Sequence, residues 1–204
     1  MEAKFNISEV LRTSWGALKS QIWILVGLFI GYSILSAVFT LLLIPYASLS
    51  YGWIIGNLLF LAISLIFNLG YMKNLFQTLD GEEPQFSAYG QQARKIGTCL
   101  IAELIYGILV LVGALLFVIP GIYIYLRLQF FVAFIVEEDA GIIESLKRSW
   151  EITDGQTLPL LVFLLTAIII SLVGFIILGV GVFVAYPLIM LMQCYIYRVL
   201  CSFT

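Results

Sequence analysis

The sequence predicts an all-α, polytopic membrane bundle of six transmembrane helices, built from three repeats of an amphipathic helix plus a helical hairpin, with both termini cytoplasmic. Three observations predict it. Of 204 residues, 62% are hydrophobic and only 11% charged; soluble domains carry about 45–50% apolar and about 25% charged residues, so a wet surface is out of reach. Six apolar stretches stand near the ~20 residues that a bilayer core requires of a helix. And a charged, Trp-bearing segment that opens the chain returns near residue 150.

The N-terminal segment "ISEVLRTSWGALKSQ" puts Ile7, Leu11, Trp15 and Leu18 on one helical face, with Arg12 and Lys19 elsewhere. Span one, 21–44, is longer than the ~7–15 residues of a signal-peptide core, and no small-residue cleavage site follows, so it reads as a permanent span. The others are 51–72, 97–119, 121–136, 158–178 and 182–201. The linkers alternate. "PYASLSY", "PG" and "GVG" are short and uncharged, and Pro120-Gly121 is read as the hairpin turn between spans three and four. The N-terminal segment and the linkers after spans two and four hold Lys4, Arg12, Lys19, Lys73, Arg94, Lys95, Lys147 and Arg148, and Arg198 lies near the C-terminus. Nine of ten Lys and Arg thus fall on one side, with Arg127 the exception, which orients both termini to the cytoplasm.

Aligning Ser14-Trp15 with Ser149-Trp150 also matches Glu9 with Glu144, Leu11 with Leu146 and Gln21 with Gln156. A looser copy, "FSAYGQQARKIG", precedes span three, and "LIP" at 43–45 answers "VIP" at 118–120. The single domain, 1–204, therefore reads as units 7–77, 86–139 and 142–203. In the last copy Ile143, Leu146 and Trp150 form one stripe, Glu144–Arg148 and Lys147–Glu151 stand at i,i+4, and Asp154-Gly155 stops the helix. Such helices either lie in the headgroup plane as cuffs or form a cytoplasmic docking platform, with Arg12, Trp15, Lys147, Arg148 and Trp150 as its contact residues.

Ionisable groups inside spans are functional candidates. Arg127 lies about 10 Å below the outer turn and Glu103 about 25 Å below it, too far apart for a direct pair. Three roles stand open for Arg127: snorkelling outward, binding carbonyls of a neighbouring helix, or, with Asn68 and Gln129, holding an anionic ligand such as a lipid phosphate. Asn57 and Gln193 add interhelical hydrogen-bonding groups, and Pro187 predicts a kink or a ragged start in span six. Gly27/Gly31 and Gly52/Gly56 spell GxxxG at different depths, a weak motif. Asp80, Glu82, Glu83 and Glu137, Glu138, Asp139 read as solvated helix ends rather than as a Mg²⁺ site for lipid-phosphate chemistry.

The chain has no histidine and no CxxC pair; Cys99, Cys194 and Cys201 read as free thiols. No P-loop, GxSxG or HExxH motif occurs, so neither a cofactor nor a metal is implied. A net charge of −2 without a basic stripe gives no case for nucleic acid.

Residues 118–156, "VIPGIYIYLRLQFFVAFIVEEDAGIIESLKRSWEITDGQ", resemble the bacterial membrane domain attached to some glycerophosphodiester phosphodiesterases and that domain's free-standing relatives, through Pro120-Gly121, Tyr123, Arg127, Ser149-Trp150 and Gly155. The resemblance implies a multi-pass protein of the bacterial inner membrane and transfers no catalytic residue. Unit one departs from the pattern, since Pro45 is followed by Tyr46. The functional expectation is a non-enzymatic module that scaffolds, anchors or regulates envelope components. Its partners are the bilayer, a cytoplasmic or membrane protein, and a second copy of itself. A small transporter or channel and a lipid-modifying enzyme are the alternatives.

Overall fold

A computed structural model describes residues 4–44, 51–177 and 179–203, and among these every regular element is helical. The chain runs α1 (Ile7–Ser20), α2 (Ile22–Leu43), α3 (Tyr51–Leu79), α4 (Ser87–Gln92), a 3₁₀ turn (Ala93–Lys95), α5 (Ile96–Leu116), α6 (Val118–Leu128), α7 (Phe131–Glu138), α8 (Ile142–Ile152), α9 (Thr157–Ile176) and α10 (Val182–Cys201). Six segments are long and apolar enough to cross a bilayer: α2, α3, α4–α5, α6–α7, α9 and α10. The chain is a multi-pass membrane protein by that measure. Its first hairpin turn, including Pro45, lies outside the described residues.

Burial follows the solvent that each part meets. The C-terminal parts of α3 and α10 hide Leu69, Leu75, Phe76, Leu191, Met192 and Leu200, while the opposite end of the bundle exposes Leu41, Leu42, Leu58, Leu115, Leu116 and Ile176. Side chains of that kind are stable outward only where the surroundings are hydrocarbon. Three short elements each seat on a longer segment: α4 on α3, α8 on the α6–α7 segment and α1 on α10.

The hairpin α5–α6 turns differently from expectation. Pro120-Gly121 is not the turn; both residues sit in the first turn of α6, and Phe117, extended at φ −161° and ψ 151°, makes the link. Proline suits that place, since a first-turn residue has no intrahelical partner for an N–H and the ring presets a helical φ. Gly121 is there for contact: its backbone lies against Ala114 and Gly113 of α5. Gly174 and Gly181 close the α9–α10 hairpin in the same way. Pro187 lies inside α10, which continues through it.

Candidate functional site

The apolar run read as span four is two helices. Between α6 and α7, at Gln129 and Phe130, the backbone ladder breaks, and α8 repairs it. The Phe130 N–H donates to Ser149 Oγ at 3.2 Å, and that hydroxyl donates to the Arg127 carbonyl at 3.0 Å. Thr153 Oγ1 also stands 3.1 Å from the Arg127 carbonyl and 2.7 Å from the Ser149 carbonyl, its single proton shared between them. Ser149 and Thr153 are both fully buried. Running antiparallel to α6–α7, α8 meets Glu138 through Arg148 near its middle and Arg127 through its last turn.

Arg127 is 3% exposed. Its guanidinium lies 4.6 Å from the Trp150 ring centre and 5.8 Å from that of Tyr123, and the two rings meet edge to face at 5.7 Å. Nη1 donates to Asp154 Oδ1 at 3.0 Å. The Asp154 side chain is 84% exposed, so the pair has a dry end and a wet one. Sequence reasoning offered Arg127 three roles and missed this carboxylate. Asp154 was read only as a helix stop, because the doubling back of α8 along α7 is a tertiary fact. The arrangement fixes a cation between two aromatic faces and ties α6 to the start of α9.

The structure does not gather Asn68 and Gln129 around that cation. Gln129 is buried and turned elsewhere, with Nε2 on the Leu126 carbonyl at 3.0 Å and its own carbonyl accepting from Gln193 Nε2 at 2.9 Å. Asn68 is exposed on α3. Glu103 hydrogen-bonds within α5, where Cys99 Sγ stands 3.5 Å from its carboxylate.

Glu137, Glu138 and Asp139 are not merely solvated, as the sequence suggested; each holds a different part of the bundle. Glu137 pairs with Lys73 of α3 at 2.8 Å and Arg198 of α10 at 3.1 Å, and Arg198 also grips Asp80. Glu138 takes Arg148 of α8 at 2.5 Å and accepts from the Tyr197 hydroxyl at 2.7 Å. Asp139 takes Lys95 at 2.7 Å, and the buried Lys95 ammonium also caps α7 through the carbonyls of Ile135 and Val136, both at 2.9 Å. Glu82 and Glu83 are exposed. Among the described residues no group of three or more His, Cys, Asp or Glu is placed to hold a metal ion.

The bond from Lys95, then the charges of Lys95, Arg94 and Lys73, hold the Asp139 carboxyl below its usual range. A depressed carboxylate adds stability that is present above its unfolded value and is lost as pH falls through the folded one. Thermal stability, followed by unfolding between pH 5 and 2, is therefore expected to fall progressively below about pH 4, the unfolded aspartate range. Asp139→Asn should flatten part of that slope. Asparagine keeps the left-handed backbone that Asp139 adopts at φ 53°.

The residues read as docking contacts divide. On α8 the buried face is Ser145, Leu146, Ser149 and Ile152, while Ile143 is 66% exposed. Small hydroxyl residues let α8 approach α5, α6 and α7 closely, which turns the apolar stripe partly outward. Lys147 is exposed, with Glu151 at 3.8 Å, whereas Arg148 is committed to Glu138 and the Phe134 ring. On α1 the buried residues are Val10, Ser14 and Leu18, and Arg12 is exposed. Trp15 and Trp150 are each 38% exposed, and Ser14 and Ser149 each 0%.

A family model described as a domain of unknown function, DUF7847, matches residues 46–201. Uncharacterised proteins of Mycobacterium bovis and Mycobacterium tuberculosis are 28% identical over 144 residues, which is 71% of this chain and 44% of theirs. The chain spans less than half the length of these curated relatives. No solved structure matches. Since the matched region holds Arg127, its aromatic cage, the carboxylate clasp and well over half of the sequence, the chain belongs to the DUF7847 family.

Proposed function

We propose that the chain is a non-enzymatic module of the bacterial inner membrane, its termini cytoplasmic, that scaffolds, anchors or regulates envelope components through its amphipathic helices. The observation that carries this reading is the like seating of α1 and α8. Each buries a serine, half-exposes the tryptophan beside it, and leaves a basic residue, Arg12 or Lys147, outside. The charges facing inward are spent on joining helices, so the outward ones are the groups free to meet a partner. The three short elements each seat on the second span of the preceding unit, α1 closing the ring on α10, which supports three repeats in cyclic order. The greater length of the relatives supports a unit that is combined with other segments, as does the resemblance to membrane domains attached to phosphodiesterases.

The test is Arg12→Glu/Lys147→Glu, which spares Arg148. Mild-detergent isolation of the wild type from its native membrane is expected to retain a stoichiometric partner, and the variant is expected to lose it with thermal unfolding unchanged. Retention by both, or a wild type that brings nothing, overturns the docking role. The transporter and lipid-enzyme readings draw no comparable support, because Arg127 and Gln129 face different neighbours and Asn68 stands apart from both.

A further inference from the structure

Helices α1 and α8 share a seating but not a charge balance. On α8 each cation has a carboxylate: Lys147 meets Glu151, and Arg148 meets Glu138 and Glu144. On α1 neither Arg12 nor Lys19 pairs with a carboxylate among the described residues, and both are exposed. Glu9, the acid of α1, lines a different cavity, beside Pro159 at the start of α9. Two positive charges are left for an anion from outside.

The wall beside them selects the anion. A groove of about 460 Å³ runs between α1 and α10, lined by Ser8, Leu11, Arg12, Trp15 and Leu188. Ser8, Arg12, Trp15 and Lys19 follow one another at spacings of four, three and four, so they form a single stripe along α1. Lys19 Nζ stands 5.4 Å from the centre of the Trp15 ring, the same ring that lines the groove. Apart from the Ser8 hydroxyl and the Arg12 head, the lining is apolar, and Leu188 belongs to a helix long and apolar enough to cross a bilayer. A soluble anion gains from the two cations and nothing from this wall. A phospholipid with a net negative headgroup uses both, since a guanidinium fork fits phosphate oxygens and an apolar trough fits an acyl chain.

We infer that the groove between α1 and α10 binds an anionic phospholipid, its phosphate lying on Arg12 and Lys19 and an acyl chain lying along Leu11, Trp15 and Leu188. A tryptophan between a charged head and a hydrocarbon wall is the side chain that such a boundary favours. The site rests on the reading of α1 as an interfacial helix whose outward cations meet a partner, and it names a lipid as the partner of Arg12. The purified chain tests it with no protein partner present.

Native mass spectrometry of the full chain in detergent, titrated with phosphatidylglycerol or phosphatidylcholine of matched acyl chains, is the measurement. Phosphatidylglycerol is expected to bind about tenfold more tightly, the scale of two cations at an anionic surface. Arg12→Gln/Lys19→Gln should erase that preference with the thermal midpoint unchanged, because both side chains are exposed. Lys147→Gln/Arg94→Gln removes the same net charge elsewhere and should keep the preference. Glycerol 3-phosphate, which offers the phosphate without a chain, should not displace the lipid. Equal binding of the two lipids, equal losses from the two double variants, or displacement by glycerol 3-phosphate overturns the site. Loss of a protein partner from Arg12→Glu/Lys147→Glu, with no lipid preference in the purified chain, keeps the docking role and rejects this site. A lipid preference in a chain that brings no protein partner does the reverse.

Discussion

Gly121→Val is expected to open the α5–α6 hairpin and to cost about 3 kcal/mol or more, at the upper end of what overpacking does. A Cβ at Gly121 would stand 2.8–2.9 Å from the Cα, Cβ and N of Ala114. Those are backbone and near-backbone atoms, with no flexible side chain to swing aside, so one helix must move off the other. For a chain of this size that corresponds to a drop in melting temperature of about 6–12 °C. Thermal unfolding of the purified protein in detergent measures it. Gly107→Ala, on the same hairpin but with nothing within 4 Å of the added Cβ, is the control and should leave the midpoint unchanged. Equal losses from both substitutions would mean that α5 tolerates no change at all and that the Gly121–Ala114 approach is not the cause.

That hairpin also shows where sequence reasoning holds and where it stops. The spans were legible because each is a direct match between side chains and solvent: stretches read as 21–44 and 182–201 are helices Ile22–Leu43 and Val182–Cys201. The turn was misread because Pro-Gly is a turn dipeptide in water-facing loops, whereas a proline in the first turn of a helix costs nothing and a glycine beside it admits the partner helix. In α8 the apolar stripe of Ile143, Leu146 and Trp150 reads as a face laid on the membrane interface; Ile143 does face out, but Leu146 is buried, and the buried face is completed by Ser145 and Ser149. Hydrophobicity cannot distinguish a face that meets lipid from one that meets protein, since both are dry. Packing against protein then selects for small side chains and for hydroxyls that can serve exposed backbone groups.

The clasp was illegible for another reason. Its members come from remote parts of the chain, Asp80 with Arg198 and Lys73 with Glu137, and no local period encodes such pairs. What could be read was that three adjacent carboxylates end one span and that cations flank others; the pairing itself needed the tertiary arrangement of the helices. The alignment of Ser14-Trp15 with Ser149-Trp150 carried more information than any periodicity, because the two pairs share the same burial.

The same alignment yields a prediction of opposite signs. Ser149→Ala should destabilise by about 2 kcal/mol, since the Phe130 N–H loses its acceptor in a dry site, while Thr153 still serves the Arg127 carbonyl. Thr153→Val alone should cost less, because Ser149 remains to donate to that carbonyl. The double substitution leaves both backbone groups at the α6–α7 break bare. It should cost about 4 kcal/mol, more than the two single effects together, and lower the melting temperature by about 8–16 °C. Ser14→Ala should do the reverse. Ser14 is just as buried, but its Oγ has no hydrogen-bond partner among the described residues, and it sits on α10, whose helix is unbroken there. Removing that hydroxyl should leave stability unchanged or raise it by up to about 1 kcal/mol. The contrast isolates the hydroxyl's task from the small volume that both positions require. Helix α8 is then held by the backbone it repairs, whereas α1, among the described residues, makes no side-chain hydrogen bond to another helix, so α1 is the helix expected to leave first when the bundle opens. Hydrogen exchange of α1 against α8 amides would show that order, with α1 losing protection sooner.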